Sequence, residues 1–137
     1  MSKSDKVIRV SAVVFCTDDG ELLTVRKTGS TRFMLPGGKP EPGESPRQTA
    51  ARECAEEIGV VLGPDDLTEL GVFRAPAANE AGHLVEAVVF RHDVLPVDRP
   101  TAEIAELRWM RIDRLDPDVS LAPLLAERVI PLLLAGR

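Results

Sequence analysis

Three carboxylates lie close together in the short stretch Arg52-Glu53-Cys54-Ala55-Glu56-Glu57. On an α-helix the side chains of Glu53, Glu56 and Glu57 would share one face, within an arc of about 100°. Like charges at spacings of three and four residues repel on a helix surface, and Arg52 offsets only part of that repulsion. A face of this kind is commonly just solvated, so the cluster alone does not establish a site, but a bound cation would relieve the repulsion.

Magnesium is the cation that suits such a cluster best. It is a hard ion that prefers carboxylate oxygens, keeps several waters and is commonly completed by substrate phosphates. Manganese would accept the same ligands. Hydrolysis of a phosphoanhydride requires charge neutralisation on the phosphate oxygens and a water held in line, and metal ions can supply both. The cluster therefore points to phosphate chemistry if its surroundings support catalysis.

The residues around the cluster do support it. From Gly38 the chain runs through five residues to Glu44, through seven more to Arg52-Glu53-Cys54, and then to Glu56-Glu57 and Gly59-Val60. This order resembles the signature of the Nudix hydrolase family, G-x5-E-x7-R-E-U-x-E-E-x-G-U, in which U is apolar. Cys54 stands where the family more often has an aliphatic residue, and a small hydrophobic thiol serves there equally well. The resemblance covers most of the chain, and its specificity lies in residues 38–60.

The resemblance implies a fold and an activity. The expected fold class is α/β, an α/β/α sandwich with a mixed β-sheet between helices, in a single domain over residues 1–137 whose loop-helix-loop catalytic motif spans residues 38–60. The implied activity is Mg²⁺-dependent hydrolysis of a diphosphate linkage in a nucleoside diphosphate derivative, with Mn²⁺ as a substitute. Nucleoside triphosphate sanitising is favoured, and ADP-ribose or dinucleotide pyrophosphatase activity is the other candidate.

A non-catalytic alternative stays open alongside the enzyme. A Nudix-like domain could bind a nucleotide as a sensor or scaffold without cutting it. Such a protein would be expected to have lost acids of the motif, whereas this chain keeps all of them. Catalysis is therefore the favoured interpretation.

The resemblance also implies roles for individual residues of the motif. Glu56 and Glu57 match the family's paired acids and are expected to bind the metal directly. Glu53 is either a further ligand or the group that orients and deprotonates the attacking water. Arg52 is expected to pair with a glutamate of the motif and fix its rotamer. Glu44 would support the metal site or pair with Arg52, unless it is only a helix-start acid favoured by the helix dipole.

Four residues outside the helix complete the candidates. The carbonyl of Gly38 is a candidate metal ligand by family resemblance. Glu103 lies six residues before Trp109, a placement similar to an additional metal-binding acid in the MutT-like branch, although an exposed loop acid explains it equally well. His83 and His92 could carry protons, but neither belongs to a motif, so both are expected to be surface residues.

The catalytic motif needs a helix to position it, and the sequence predicts one over Pro46 to Ile58. Ser45 can cap its start, Pro46 suits the first helical position, and Gln48 completes a capping box. Gly59 is expected to end it. An apolar stripe should face the core, with the acids on the opposite side; its residues are Ala50, Cys54 and Ile58.

Strands are predicted on both sides of this helix. Residues 7–17 and 21–27 flank a turn signal at Asp18-Asp19-Gly20 and suggest a hairpin. Further strands are expected at residues 33–35, 69–74, 84–91 and 107–112. A second amphipathic helix is marked by Leu121, Leu124, Leu125 and Val129, and Pro131 should kink or end it. Substrate choice is expected to come from residues 28–33 and 74–83.

Composition limits the partners. The chain has 137 residues and a formal net charge of −5, so no general basic field attracts long nucleic acid or an anionic membrane. A small nucleotide remains a suitable partner, because bound dications reverse the local field. Cys16 and Cys54 are too few for a zinc ribbon and are expected to be small buried hydrophobes. The polar start and interrupted apolar end suggest a cytoplasmic protein, with a homodimer left open.

Overall fold

The computed structural model describes residues 6–78, 80–97, 100–101 and 103–136. Within these ranges the chain forms eight strands and two α-helices, together with a 3-10 turn at Pro64–Asp66 and a π-helical segment at Leu124–Val129. The helices are α1 (Pro46–Ile58) and α2 (Ile130–Ala135). The strands are β1 (Lys6–Val14), β2 (Glu21–Lys27), β3 (Arg32–Met34), β4 (Gly37–Gly38), β5 (Thr68–Pro76), β6 (His83–Arg91), β7 (Ile104–Arg111) and β8 (Ser120–Leu121).

The strands form two four-stranded mixed sheets, in the orders β4-β1-β6-β5 and β7-β2-β3-β8. Strand β1 runs parallel to β6, β3 runs parallel to β8, and the remaining pairs are antiparallel. The predicted α/β class is confirmed, with the strands divided between two sheets rather than gathered in one.

The predicted hairpin of β1 and β2 is wrong. Both edges of β1 are occupied, one by β4 and the other by β6, so β2 finds its partners in the other sheet. Around the turn the two segments are joined only locally, by an antiparallel bridge between Cys16 and Leu22 and by short-range hydrogen bonds such as Leu23 N–H to the Phe15 carbonyl at 3.0 Å. Cys16 is half-buried at this bridge, whereas Cys54 is fully buried as predicted.

Two apolar cores lie on opposite faces of the sheets. Alternate residues of β1 divide between them because successive side chains of a strand point to opposite faces: Val13 joins the core that contains α1, and Val14 joins the core that contains the C-terminal helix. Helices therefore cover both faces, which is the layer order of the predicted α/β/α sandwich.

Helix α1 has the predicted bounds and caps. The Ser45 side chain accepts a hydrogen bond from the Gln48 backbone N–H, and the Gln48 side chain accepts one from the Ser45 backbone N–H, which completes the capping box. Gly59 ends the helix in a left-handed conformation with φ of 70°, where a side chain would be strained. The apolar stripe is confirmed, since its three members, Ala50, Cys54 and Ile58, are all fully buried.

The placement of the acids on the side opposite this stripe is wrong for Glu57, which is 1% exposed. Successive helical residues turn by about 100°, so Glu57 lies only about 60° from Cys54 on the helical wheel and borders the apolar stripe. Its side chain therefore enters the protein, and Glu56 points to solvent with 55% of its side chain exposed.

The C-terminal helix begins later than predicted and continues past Pro131. Leu121 belongs to β8, and the helix starts with the π-helical segment Leu124–Val129, which passes directly into α2. A proline lacks the N–H of the helical ladder, and its ring crowds the carbonyl four residues earlier. The wider π turn before Pro131 accounts for the helix continuing without a break there. No helix in the described ranges is long and apolar enough to cross a membrane.

Candidate active site

The carboxylate of Glu57 is buried between α1 and β4. The backbone N–H of Gly37 donates to its Oε1 at 3.0 Å, and the ammonium of Lys27 lies 3.5 Å from its Oε2. Oε2 has no hydrogen-bond partner. Lys27 offsets the charge of this oxygen as an ion-pair partner, but a buried oxygen that accepts no hydrogen bond is costly, so Oε2 is suited to a cation that binds it directly.

The pKa of Glu57 is raised to about 7. Burial is the main cause because it penalises the charged form, and the neighbouring Glu53 carboxylate adds to the effect. The Lys27 ammonium and the Gly37 N–H oppose it without cancelling it. The protein thus keeps a carboxylate at a position where one more positive charge would be favourable.

Glu53 lies directly against Gly38. A β-carbon built on Gly38 would come within 2.4 Å of Glu53 Cδ and within 2.7 Å of both carboxylate oxygens. Only glycine leaves room for this approach. Burial raises the pKa of Glu53 as well, with the nearby Arg52 acting in the opposite direction. Two carboxylates with raised pKa values, those of Glu53 and Glu57, therefore lie on the side of α1 that faces β4.

Arg52 connects the remaining acids. Its Nε and Nη2 donate to the two oxygens of Glu44 at 2.7 and 2.9 Å, a bidentate pair. Its Nη1 lies 3.0 Å from Glu53 Oε2 and 3.2 Å from Glu56 Oε2. Nη2 also donates to the carbonyl of Lys39 at 3.0 Å. One guanidinium thus ties the loop before α1 to two carboxylates of the helix.

The oxygens of Glu44 are already engaged by the protein. Besides Arg52, Glu44 Oε1 accepts from the backbone N–H of Glu41 at 2.8 Å and from the hydroxyl of Thr49 at 2.9 Å. The hydrogen bond from Arg52 is the main reason that the pKa of Glu44 falls to about 2. Of the alternatives considered for Glu44, the structure shows the ion pair with Arg52.

The carboxylate oxygens of α1 are the candidate ligands for a divalent metal ion. In the described ranges no three His, Cys, Asp or Glu side chains already converge at metal-binding geometry. Glu53 and Glu56 nevertheless lie against the same nitrogen of Arg52, and Glu57 carries an oxygen with no hydrogen-bond partner. Hard carboxylate oxygens are the ligands that Mg²⁺ and Mn²⁺ prefer. The residues fit such an ion if the exposed Glu56 side chain rotates towards the other two.

The candidates outside α1 are placed as follows. Gly38 lies in β4 beside Glu53. Glu103 is exposed, and its backbone carbonyl accepts from the Thr28 N–H at 2.9 Å. His83 contacts the carbonyl of Ala81 and lies 3.9 Å from Glu80. His92 contacts the carbonyl of Asp93 and packs against Phe15.

A cleft of about 170 Å³ begins beside the carboxylates. Lys27, Gly37 and Gly38 line it at this end, so the cleft and the Glu57 site share residues. The segment Pro76–Ala78 also lines it, as do Leu124 and Leu125 at the start of the C-terminal helix. The predicted substrate loop at residues 74–83 therefore does border the cavity next to the carboxylates.

Lys27 is the site residue that sequence analysis missed. It ends β2, far from the motif along the chain, and becomes a neighbour of Glu57 only through the fold. A cation at the end of a strand that leads into the expected substrate loop at residues 28–33 is the one clue that the sequence offered.

The chain is similar in sequence to a known domain family and to several known proteins. A sequence profile of the NUDIX domain matches residues 6–133. An isopentenyl-diphosphate Delta-isomerase of Nocardia farcinica is 41% identical over 111 residues, covering 74% of this chain and 61% of that protein. A MutT-like protein of Streptomyces ambofaciens is 33% identical over 103 residues, covering 74% and 62%. This chain thus spans about three fifths of the length of these relatives.

The fold has counterparts among solved structures. The crystal structure of a MutT/nudix family protein from Enterococcus faecalis superimposes with a TM-score of 0.73 at 18% identity, covering 95% of this chain and 62% of that one. At that identity the similarity concerns the fold alone. Other relatives in sequence are named RNA pyrophosphohydrolase, ADP-ribose pyrophosphatase and putative 8-oxo-dGTP diphosphatase.

Proposed function

The chain belongs to the Nudix domain family, and on that basis we propose that it is a Mg²⁺-dependent hydrolase that cleaves a diphosphate linkage in a nucleoside diphosphate derivative. The proposal rests above all on the buried Glu57 carboxylate, whose Oε2 has no hydrogen-bond partner beside the carboxylate of Glu53. Relatives named for diphosphate or pyrophosphate chemistry support it.

The ligand set that we propose consists of the α1 carboxylates Glu53, Glu56 and Glu57 with the carbonyl of Gly38. Glu103 is a further candidate ligand from its loop. When bound, Mg²⁺ or Mn²⁺ would neutralise phosphate charge and lower the pKa of a coordinated water. Glu44 is already engaged by Arg52, Thr49 and the Glu41 N–H, so we assign it to holding Arg52 rather than to metal binding.

The chain's own residues would prepare the reaction by position and charge. Arg52 fixes the rotamer of Glu53 through the 3.0 Å contact, which is a positioning role. Where Glu53 does not itself bind the metal, it would accept a proton from the attacking water. Water oxygen forms a bond to one phosphorus, the bridging P–O bond breaks, and the leaving phosphate keeps the bridging oxygen. Lys27 lines the cleft and would meet phosphate charge there.

Nucleoside triphosphates are the first substrates to test, and ADP-ribose and dinucleoside polyphosphates are the second. The test is turnover of this panel with Mg²⁺, followed by separation of the nucleotide products. We expect at least one substrate to be hydrolysed and EDTA to stop the reaction. Glu57→Gln should remove most of the activity, while Glu127→Gln, at an exposed site on the C-terminal helix, should not.

The sensor alternative predicts a different outcome. A nucleotide-binding domain without catalysis would bind members of the panel while releasing no product from any of them. Saturable binding with no turnover across the whole panel, in Mg²⁺ and in Mn²⁺, would therefore overturn the hydrolase proposal.

A further inference from the structure

Ser11 is a polar residue of the cleft that the proposed reaction has not used. It lies in β1, is 3% exposed and lines the cleft. Its hydroxyl makes no hydrogen bond with the part of the chain that the structure describes. The three other buried hydroxyls in the described ranges, those of Thr24, Ser30 and Thr49, all make hydrogen bonds. A buried hydroxyl that makes none is unfavourable, so Ser11 is suited to a ligand in the cleft.

Strand pairing places Ser11 beside the carboxylates of α1. Ser11 is paired directly with Gly38 across the antiparallel strands β1 and β4. The β-carbons of residues paired in this way lie about 4.5–5.5 Å apart on one face of the sheet, and a β-carbon on Gly38 would meet the carboxylate of Glu53. Val13, two residues further along β1, faces the core that contains α1, so Ser11 has the same orientation. The Ser11 hydroxyl is therefore on the face of the sheet where Glu53 lies.

The cleft reaches Ser11 because β4 is short. This strand has two residues, which pair with Ser11 and Ala12 of β1. Before Ser11, no strand in the described ranges pairs with this edge of β1, since β6 occupies the opposite edge. Ile8 and Val10 of the unpaired stretch line the cleft together with Ser11. Ser11 thus lies where the paired part of the edge ends and the open part begins.

The charged groups near Ser11 suit a phosphate. The polar side chains of the described cleft lining are Ser11, Lys27, Lys39 and Glu80. Lys39 directly follows Gly38, the partner of Ser11. The ammonium of Lys27 lies 3.5 Å from Glu57, whose carboxylate is hydrogen-bonded to β4. Both lysines are therefore close to β4, whereas the one acid of the lining belongs to the connection between β5 and β6.

We propose that the hydroxyl of Ser11 donates a hydrogen bond to a non-bridging oxygen of the substrate's diphosphate. The inference rests on the proposed function and adds a substrate-binding residue to it. A hydroxyl is a neutral donor, so it binds a phosphate oxygen without competing with a cation for the carboxylates. Hydrogen bonds to charged groups contribute more than those between neutral groups. Ser11 contacts the substrate from β1, on the face of the sheet that carries Glu53.

Ser11→Ala removes this donor and should weaken the binding of a diphosphate. The probe is methyl methylenediphosphonate, whose bridge cannot be hydrolysed, and its binding to the whole chain in Mg²⁺ is measured by calorimetry. We expect the Kd of the probe to rise about 10- to 100-fold, and the Kd for Mg²⁺ alone to stay within about twofold of the native value. Unchanged binding of the probe would overturn the inference. An equal loss of affinity for Mg²⁺ alone would assign Ser11 to the metal site and contradict it as well.

Thr24→Val is the matched control, because it also removes a buried hydroxyl. Thr24 is fully buried, does not line the cleft, and donates to the carbonyl of Arg108 at 2.8 Å. Its loss should lower the Tm by a few degrees and leave the Kd of the probe unchanged. Ser11→Ala breaks no hydrogen bond within the described protein, so its Tm in EDTA should equal or exceed the native Tm. A lower Tm in Ser11→Ala with native binding of the probe would show a structural role and contradict the inference.

A second ligand identifies the group that Ser11 contacts. The 5′-adenosyl ester of methylenediphosphonate carries the same diphosphonate with a ribose and a base, and Ser11→Ala should weaken both ligands by the same factor. A loss confined to the adenosyl ester would place the hydroxyl against the ribose or the base and contradict the inference.

Turnover separates this inference from the proposed function. A nucleotide that native protein and Ser11→Ala hydrolyse with equal KM and kcat would overturn the role of Ser11 and leave the hydrolase proposal standing. No turnover of any nucleotide and no binding of either diphosphonate would overturn both.

Discussion

The ammonium of Lys27 lies 3.5 Å from Oε2 of Glu57, and this contact joins the end of β2 to the catalytic motif. Glu57 is 1% exposed. Its buried carboxylate therefore faces the charge of Lys27 inside the protein. The Lys27 ammonium thus occupies a position beside Glu57 where we propose that a divalent ion binds. Several expected properties of the metal-free protein follow from it.

Stability of the metal-free protein should fall as the pH rises from about 5 to 8. The pKa of Glu57 is about 7 in the folded protein and 4.5 as the ordinary value. Between these values the folded chain keeps a proton that the unfolded chain releases, so raising the pH favours unfolding, by on the order of 2–3 kcal/mol in total. Thermal melts in EDTA would measure this. Glu57→Gln should flatten the slope, and a slope unchanged in that variant would contradict the assignment.

Replacing Lys27 should strengthen metal binding. Lys27→Met removes a positive charge that competes for Glu57, so the Kd for Mg²⁺ should fall about three- to tenfold. Lys27→Arg keeps the charge and should stay within about twofold of the native value. Calorimetric titration with Mg²⁺ in the absence of nucleotide tests this directly. Equal affinities in the Met variant and the native protein would show that Lys27 does not compete with the metal.

Adding a methyl group at Gly38 should weaken metal binding. The new β-carbon would lie 2.4 Å from Glu53 Cδ, so the carboxylate must move, and we expect Gly38→Ala to raise the Kd for Mg²⁺ about 10- to 100-fold. Gly136→Ala is the matched control, because its φ is −86° and its nearest neighbours are 3.8 Å away. Affinity that is unchanged in Gly38→Ala would remove Glu53 from the proposed ligand set.

Arg52→Lys should lower kcat about 10- to 100-fold. A lysine ammonium lacks the planar fork with which Arg52 holds Glu44 while also contacting Glu53 and Glu56. Arg47 offers a matched control on the same helix, since its guanidinium binds the carbonyls of Pro64 and Leu67. Steady-state assays should show Arg47→Lys near native kcat. Equal losses in the two variants would point to general destabilisation instead of a positioning role for Arg52.

Local signals allowed α1 to be predicted residue by residue. Its cap, first-turn proline, apolar stripe and terminal glycine all act within a few residues of one another, and the structure reproduces Pro46–Ile58 with its capping box. The strands flanking it were located to within a few residues, except that β4 and β8 were missed. Each of these strands has only two residues, too few for an alternating pattern.

Long-range pairing was not predictable from the same signals. The turn at Asp18-Asp19-Gly20 suggested a hairpin, but β1 is enclosed by β4 and β6 through pairings with distant residues. The burial of Glu57 and its contact with Lys27 likewise depend on how the sheets approach α1. The carboxylates of α1 could be identified from their spacing. The burial of Glu57 and the exposure of Glu56 follow from the tertiary structure.

The proposed hydrolysis depends on a divalent ion that binds the α1 carboxylates in contact with phosphate. A crystal structure of the protein with Mn²⁺ and a non-hydrolysable diphosphate, using anomalous scattering to locate the metal, tests it most directly. We expect a metal peak about 2.0–2.3 Å from carboxylate oxygens of Glu56 and Glu57, with a phosphate oxygen completing its coordination. A diphosphate bound elsewhere, with no metal peak beside these carboxylates, would contradict it.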